Sequence, residues 1–435
     1  MKKVLLISYY WPPAGGVSVL RTLKIAKYLR AYGWEPVVFT TSNASFPYID
    51  EGNLSDIPEG IEVIKRPIIE PFDVFKKLTG RKKEEKLDNI LQVRSENSNV
   101  FERLGIWARA NFFIPDARSL WIGPSVRYLK KYLKENPVDA IFSDGPPHTN
   151  TVIANKISRH FQLPWLADFQ DPWTQADYYE MFPIGSIAHR IHRKMENRVF
   201  EEADKITIAS PSWAKDLEQI GARDVDVIYY GFDEADFVGP PPAKNRKITI
   251  THAGLLGIDR FPKQFFEALK HLLAERPDLP ELLEVKLAGQ VDWSIKKEIE
   301  EMGLQTLCHF PGFIPRKEVI QMNRKAHLLL LPLNIAKNTE GRLPGKLYEY
   351  LRCGTPVLAF GPTSSDASKI LNNTGCGTTL TYDDIEAVKA VLTQLLESGT
   401  LEAYQPNQPL IDQFSNEQQT KQVATYLDQI IDNRK

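Results

Sequence analysis

Cysteine is scarce in this sequence, with three in 435 residues, Cys308, Cys353 and Cys376. An odd number so widely spaced fits neither a disulfide framework nor a zinc cluster, and it suits a reducing compartment. Net charge is nearly absent too. The 54 lysines and arginines against 55 acids give a formal −1, so no global field attracts nucleic acid and any anion site must be local. No apolar run reaches the roughly 18 residues of a membrane span. Lys2 and Lys3 precede only a short apolar stretch, without a signal-type cleavage site. The expectation is a cytoplasmic protein with no nucleic-acid partner. Short-period repeats are missing as well. What remains is 43% hydrophobic and 25% charged, an ordinary globular composition over a length that accommodates two sizeable domains.

Strand-like runs alternate with helical patterns through the first half: "KKVLLIS", "EPVVFTT", "IEVIKRP", "DAIFSDG", "LPWLADF", "KITIASP" and "VDVIYYG". Such alternation predicts a parallel sheet with helices on both faces. From Asp233 to Lys247 the chain is charged and proline-rich, as a linker should be, and a second series opens with "KITITHAG". It continues through "LLEVKLAG", "LCHFPG", "AHLLLLPL" and "TPVLAFG". The reading is α/β, with two doubly wound Rossmann-like domains of similar size and a cleft between them. The first covers residues 1–238, with an insertion at about 70–120, and the second covers 243–414; a terminal helix over 415–435 is a candidate to pack back on the first.

The insertion combines Phe72, Phe75, Leu78, Phe101, Leu104, Trp107, Phe112 and Phe113 with Lys76, Lys77, Arg81, Lys82, Lys83, Arg103 and Arg109. A basic amphipathic segment of this kind suits an anionic membrane surface, giving peripheral contact through residues 71–113 at the inner face of the membrane. A helical excursion packed on its own domain, its charges merely solvated, is the alternative.

The first strand breaks into "ISYYWPPAGGVSVLRTLKIAKYL". Val19, Leu23, Ala26 and Leu29 share one helical face, so Gly15 and Gly16 fall between the carboxyl end of a central strand and a helix amino terminus. Ligands of open α/β sheets bind at such a place. Glycine permits close approach and φ > 0, and the helix terminus offers N–H groups and a dipole favourable to phosphate. A tight turn is the alternative use of the same pair.

Several motifs fail. "GRLPGKLYE" is one residue too short between Gly341 and Gly345 for a Walker A loop, and Leu347 stands where magnesium needs a hydroxyl. "PPAGGVSVLR" lacks the dinucleotide G-x-G-x-x-G, which argues against NAD. His189 and His192 share a helix face, but Arg190, Arg193 and Lys194 would repel a metal, so a solvated helix is expected. "DVD" at Asp224 to Asp226 leads into a strand. Neither a metal site nor a resident cofactor is expected.

"PGKLYEYLRCGTPVLAFG" closely resembles the donor-site signature of retaining glycosyltransferases of family four, which have two facing Rossmann-like domains, the GT-B architecture. "YYWPPAGGVSVLRTLKIAKYLRAYGWEPVVFT" resembles that family's opening, and "ADFQDPWT", "ITHAGLLGIDRFPKQFFEAL" and "FPGFIPRKEVI" follow in the expected order. The resemblance spans nearly the whole chain. It implies that Glu349 matches the second glutamate of the family's pair, the acceptor for the nucleotide ribose hydroxyls, a role apt for a pure acceptor facing two donors. Gly341 stands where the first glutamate belongs, with Glu340 just before it. Leu255 follows Gly254 where the family has arginine, and Arg260 matches the usual lysine. Lys346, between Gly345 and Leu347, is the expected replacement cation for the diphosphate, with Lys263 in reserve. Phe313 and Ile314 match the loop that contacts the base through its backbone.

On the amino-terminal side "ADFQDPW" offers Asp168, Gln170 and Asp171 where many relatives place a histidine, and similar sequences often read arginine at the Gln170 position. His148 is a candidate lining of the same cleft, and Asp171 either touches the acceptor or caps the next helix. The resemblance implies transfer of a hexosyl-type unit from a nucleotide sugar, with a UDP-sugar favoured, to an acceptor hydroxyl with retention. Gly15, Gly16, Arg260 and Lys346 would stabilise the leaving diphosphate in place of a metal. A glycan or lipid-linked glycan of surface polysaccharide synthesis is the favoured acceptor. A nucleotide-sugar epimerase and a non-catalytic sugar-nucleotide binding subunit are the alternatives.

Overall fold

The structure is a computed structural model that describes residues 1–44, 46, 48–69 and 100–434. The basic and aromatic positions from Phe72 to Lys83 lie outside the described residues. Two compact units are present, Met1–Tyr230 with Asn416–Lys435, and Gly231–Ser415.

The first unit holds one sheet in the order β3-β2-β1-β4-β5-β6-β7. Its strands are β1 Lys2–Ile7, β2 Trp34–Thr41, β3 Glu62–Arg66, β4 Ala140–Gly145, β5 Trp165–Phe169, β6 Lys205–Ile208 and β7 Val225–Val227. Every pairing is parallel, and each of the seven runs read from the sequence is a strand. Val4, Leu5, Leu6 and Ile7 are wholly buried because a central parallel strand is covered on both faces. The helix Val17–Tyr28 turns Val19, Leu23 and Ala26 inward and gives way to a 3-10 turn, Leu29–Tyr32, that ends at Gly33 with φ 82°. On the same side the terminal helix Asn416–Asp432 packs Val423, Ala424, Leu427 and Ile430 into one apolar cluster with Leu23 and Ala26.

The second unit repeats the plan in the order β10-β9-β8-β11-β12-β13, again all parallel. Its strands are β8 Ile248–Ala253, β9 Leu283–Ala288, β10 Cys308–Gly312, β11 Leu328–Pro332, β12 Val357–Phe360 and β13 Gly377–Leu380. The five expected runs are strands. The sixth, β13, was not anticipated, since "GTTL" carries no apolar run; its glycine is needed because a Cβ at Gly377 would lie 2.0 Å from the Val357 carbonyl oxygen.

The chain passes to the second unit at Gly231, ahead of the boundary read at 238. Asp233 to Lys247 is not a free linker. Glu234–Asp236 form a 3-10 turn, and Lys244 Nζ donates to the Ala326 carbonyl at 2.7 Å and to Thr355 Oγ1 at 2.8 Å. In each sheet the strand order reverses, between β1 and β4 and between β8 and β11, which marks the carboxyl ends of those strands as the ligand side.

Two buried carboxylates fix the first helix to that edge. Arg21 donates from Nε and Nη2 to Asp168 at 2.6 and 2.7 Å, with both side chains 1% exposed, and Thr207 Oγ1 adds a 2.6 Å bond. Removing one partner of such a pair costs about 3–5 kcal/mol. Asp144, at the end of β4, accepts from Ser8 Oγ at 2.8 Å, Thr22 Oγ1 at 2.6 Å and Asn150 Nδ2 at 2.8 Å. Burial raises its pKa from 3.8 to about 6, against the three hydrogen bonds and with help from the Asp168 charge. A carboxyl raised in this way contributes stability that is fully present below its ordinary pKa and lost as pH rises through about 6, worth about 3 kcal/mol. Urea unfolding at pH 4 and pH 7 should therefore show Asp144→Asn losing less stability across that window than the parent. Equal losses would assign the slope to other groups.

Candidate functional site

At the edge of the first sheet Gly16 caps the helix Val17–Tyr28 with φ 89° and ψ 174°, a region open essentially to glycine. A Cβ there would meet nothing within 4 Å, so the loop is open beside it, and any side chain at Gly16 strains the backbone before it blocks a ligand. Gly15 differs from expectation. Its amide donates to the Tyr48 carbonyl at 2.8 Å, and a Cβ would come within 3.2 Å of Asp50 Cβ, so the first glycine serves the loop's own packing and its N–H is already engaged.

His148 precedes the helix Thr149–Phe161, which Asp116 holds through the Thr149 amide and hydroxyl, both at 2.9 Å. The imidazole does not line an open surface. It is 5% exposed, stacked 4.3 Å from the Trp173 ring at 3°, and neither ring nitrogen has a hydrogen-bond partner. Burial, then the charge of His192, lowers its pKa to about 3, which leaves a neutral ring and a poor base at pH 7. Trp173 Nε1 in turn donates to His192 Nδ1 at 3.1 Å. His192 is thus a buried acceptor, not a solvated residue as its helical pattern suggested, while His189 is exposed. Asp168 is consumed by Arg21, and Asp171 lies half-buried in the bend after β5.

At the edge of the second sheet two backbones and one cation converge. Gly254 follows β8 with φ 117°, and a Cβ on it would lie 2.8 Å from Lys346 Nζ; a Cβ on Gly289, after β9, would lie 2.5 Å from the Gly254 carbonyl oxygen. Lys346 opens the helix Lys346–Arg352 behind Gly345. His252 is anchored through Nδ1 to the Leu330 carbonyl at 3.0 Å, so its Nε2 is left to accept, and Lys346 Nζ stands 3.5 Å away. Burial, and after it the neighbouring positive charge of Arg260, lowers the Lys346 pKa to about 7, with Glu349 acting the other way. His252 itself is held neutral, near 3, chiefly by burial.

The other expected donor residues divide. Arg260 ends the 3-10 turn Ile258–Arg260 near Lys346 and pairs with Asp259 at 2.9 Å. Glu349 lies one turn after Lys346 and accepts from Arg316 Nε at 3.0 Å and Nη2 at 2.8 Å. Phe313 is 87% exposed and Ile314 partly so, beyond Gly312 at φ 73°. Glu340 accepts from Ser364 Oγ at 2.7 Å, and Gly341, the position of the missing first glutamate, is buried at the end of the turn Thr339–Gly341. Two assignments are corrected. Lys263 is a surface cation paired with Glu298 at 2.8 Å, and the Leu347 side chain is wholly buried, with its amide bonded to the Pro344 carbonyl. Asp224 and Asp226 both pair with Lys205, as strand-edge acids. Among the described residues no group of three or more His, Cys, Asp or Glu is arranged to hold a metal ion.

Residues 235–408 match the family model of glycosyl transferases group 1. The matched stretch lies within the second unit. No curated protein matches the chain. Among solved structures, Anabaena HepE (Alr3699), in complex with UDP-glucose, is 17% identical with a TM-score of 0.61, covering 99% of this chain and all of that one. WaaG, a glycosyltransferase involved in lipopolysaccharide biosynthesis, is 16% identical at 0.53, covering 99% and 98%. A putative UDP-N-acetylglucosamine 2-epimerase from Listeria monocytogenes is 12% identical at 0.56, covering 99% and 97%. At these identities the likeness establishes the fold, which is GT-B.

Sequence reasoning missed His252 and Arg316. His252 sits two residues before Gly254 in "THAG", where an inward position on a central strand reads as core. Lys346 yields a pH test. Its charged form favours an anion, and a nucleotide sugar's diphosphate does not titrate near neutrality, so affinity for a nucleotide sugar should be constant below pH 7 and fall by up to about tenfold per unit above it. Lys346→Arg should abolish that fall. Calorimetric titration at pH 6 and pH 8 reads both, and a flat parent profile would remove Lys346 from the anion's surroundings.

Proposed function

We propose that the protein is a glycosyltransferase that moves a sugar from a nucleotide sugar to an acceptor hydroxyl with retention. The observation that carries this is the placement of Lys346 against Gly254, with Glu349 one turn further along the same helix, at the edge where the second sheet reverses its order. A fixed cation near an open backbone suits a diphosphate, and an acid 3 positions on, at residue 349, suits a ribose diol. Leaving-group charge would be stabilised by Lys346 and Arg260. The group 1 domain match and the GT-B fold support the reading. His148, enclosed and held neutral, is not assigned as the base; the family resemblance implies that the departing phosphate takes the acceptor's proton. No protein nucleophile is assigned. A glycan or lipid-linked glycan of surface polysaccharide synthesis is the proposed acceptor, with a UDP-sugar as donor, and the protein acts in the cytoplasm.

Epimerisation is the second reading, favoured by the fold it shares with the Listeria structure. Product analysis with and without acceptor separates them, since an epimerase converts donor alone. The donor site is tested by Glu349→Gln, which replaces one acceptor oxygen with a donor amide. Loss of a charge-assisted bond of roughly 1.5–3 kcal/mol should weaken UDP-glucose binding about tenfold to a hundredfold, and should shrink the preference over its 2′-deoxy analogue. Identical binding by parent and variant would sink the assignment.

We also propose peripheral contact with an anionic membrane face through the described end of the insertion. On the helix Val100–Phe112, Leu104, Trp107 and Phe112 are 59%, 43% and 71% exposed beside exposed Arg103 and Arg109, and the Trp107 and Phe112 rings meet edge to face at 5.6 Å. Replacing Trp107 and Phe112 with serine should weaken binding to phosphatidylglycerol vesicles at least about fivefold, a change of about 1 kcal/mol. Unchanged vesicle binding would return this helix to a packing role.

A further inference from the structure

Glu349 is not alone in the donor helix's surroundings. Arg316 opens the helix Arg316–Lys325, just after the loop that leaves β10. Its Nε and Nη2 both donate to one oxygen, Glu349 Oε1, and Nη2 also lies 2.8 Å from Asp236 Oδ2. The three side chains are 24%, 18% and 16% exposed. A guanidinium more often spreads over both oxygens of a carboxylate. Here the fork closes on Oε1, and no described residue donates to Oε2.

We propose that Arg316 is a positioning residue for the nucleotide ribose: it clamps Glu349 by Oε1 and keeps Oε2 as the acceptor for the diol. The inference rests on the donor-site reading of Glu349. Charge explains the third member. Glu349 stays a carboxylate when paired, but a cation held by it alone would offset its field in full; Asp236 shares the same guanidinium, so the triad carries a net −1 and Oε2 remains a strong acceptor. The simpler role for Arg316 is to tie the turn Glu234–Asp236 to the domain. That role has its own example close by, because Arg352 Nε binds Glu234 Oε1 of the same turn at 2.7 Å without touching Glu349. Arg352 is therefore the control.

The test measures binding of UDP-glucose and its 2′-deoxyuridine analogue to the parent, Arg316→Gln, Arg316→Lys and Arg352→Gln. The parent should prefer the ribose form about tenfold or more; if it does not, the donor-site reading fails before Arg316 is in question. Given that preference, Arg316→Gln should reduce it below about threefold, chiefly by weakening the ribose form, with an intermediate value for Arg316→Lys and the parent's value for Arg352→Gln. Should the glutamine variant not fold, the lysine variant carries the same readout. The proposal is overturned if either Arg316 variant keeps the parent's preference, if both nucleotides weaken equally, or if Arg352→Gln loses the preference to the same degree.

Discussion

The second unit is organised around a contact too close for a side chain. Gly254 and Gly289 end adjacent parallel strands, and the Gly254 carbonyl oxygen stands 2.5 Å from where a Cβ on Gly289 would be. Lys346 Nζ occupies the space that a Cβ on Gly254 would need. Backbone and cation can therefore share one small region only because glycine stands at both strand ends. That closeness encloses the ammonium, and enclosure lowers its pKa to about 7. One steric constraint thus sets both where the cation stands and how firmly it holds its proton.

The first unit solves a different problem at its own edge. Its helix must present a strained glycine, Gly16 at φ 89°, and strain persists only where neighbours over-determine the backbone. Arg21 and Thr22, one turn into that helix, supply the restraint. The first is locked to β5 through Asp168 and the second to β4 through Asp144. These carboxylates hold the loop in place and are consumed in doing so. This is why "ADFQDPW", which resembles a catalytic strand end, yields a structural aspartate at Asp168.

Much of this was legible in the sequence. Continuous apolar runs gave the buried strands because a parallel sheet covered on both faces leaves no alternation to find. Lys346 and Glu349 stand out in the sequence only through a family resemblance, since helix chemistry alone does not distinguish a ligand-facing acid from a surface one. Short polar β13 escaped because its pairing depends on Gly377 and not on hydrophobicity. Lys263 was misjudged for a related reason: a helix start predicts a cation's neighbourhood but not its partner, and Glu298 reaches it from another helix. His148 failed through packing. Nothing in "SDGPPHTN" reveals that Trp173 will lie flat against the imidazole.

The departures from the family pattern acquire a common physical meaning from this geometry. Leu255, 37% exposed, stands where the resemblance calls for an arginine that stays charged at every working pH. Of the cations expected to take over its charge, Lys263 is engaged with Glu298; Arg260, the match to the family's lysine, pairs with Asp259. Lys346 has no carboxylate that close, only the His252 acceptor at 3.5 Å and the opposing field of Glu349. A permanent charge at the start of the turn has been exchanged for a titratable one enclosed by the helix. On the proposed donor-site reading, the ligand-free site would carry less positive charge than an arginine would give it, and an arriving diphosphate would supply the field that returns the proton to Lys346. Charge at this edge would then be coupled to occupancy, a property that a fully ionised arginine in the position of Leu255 could not provide.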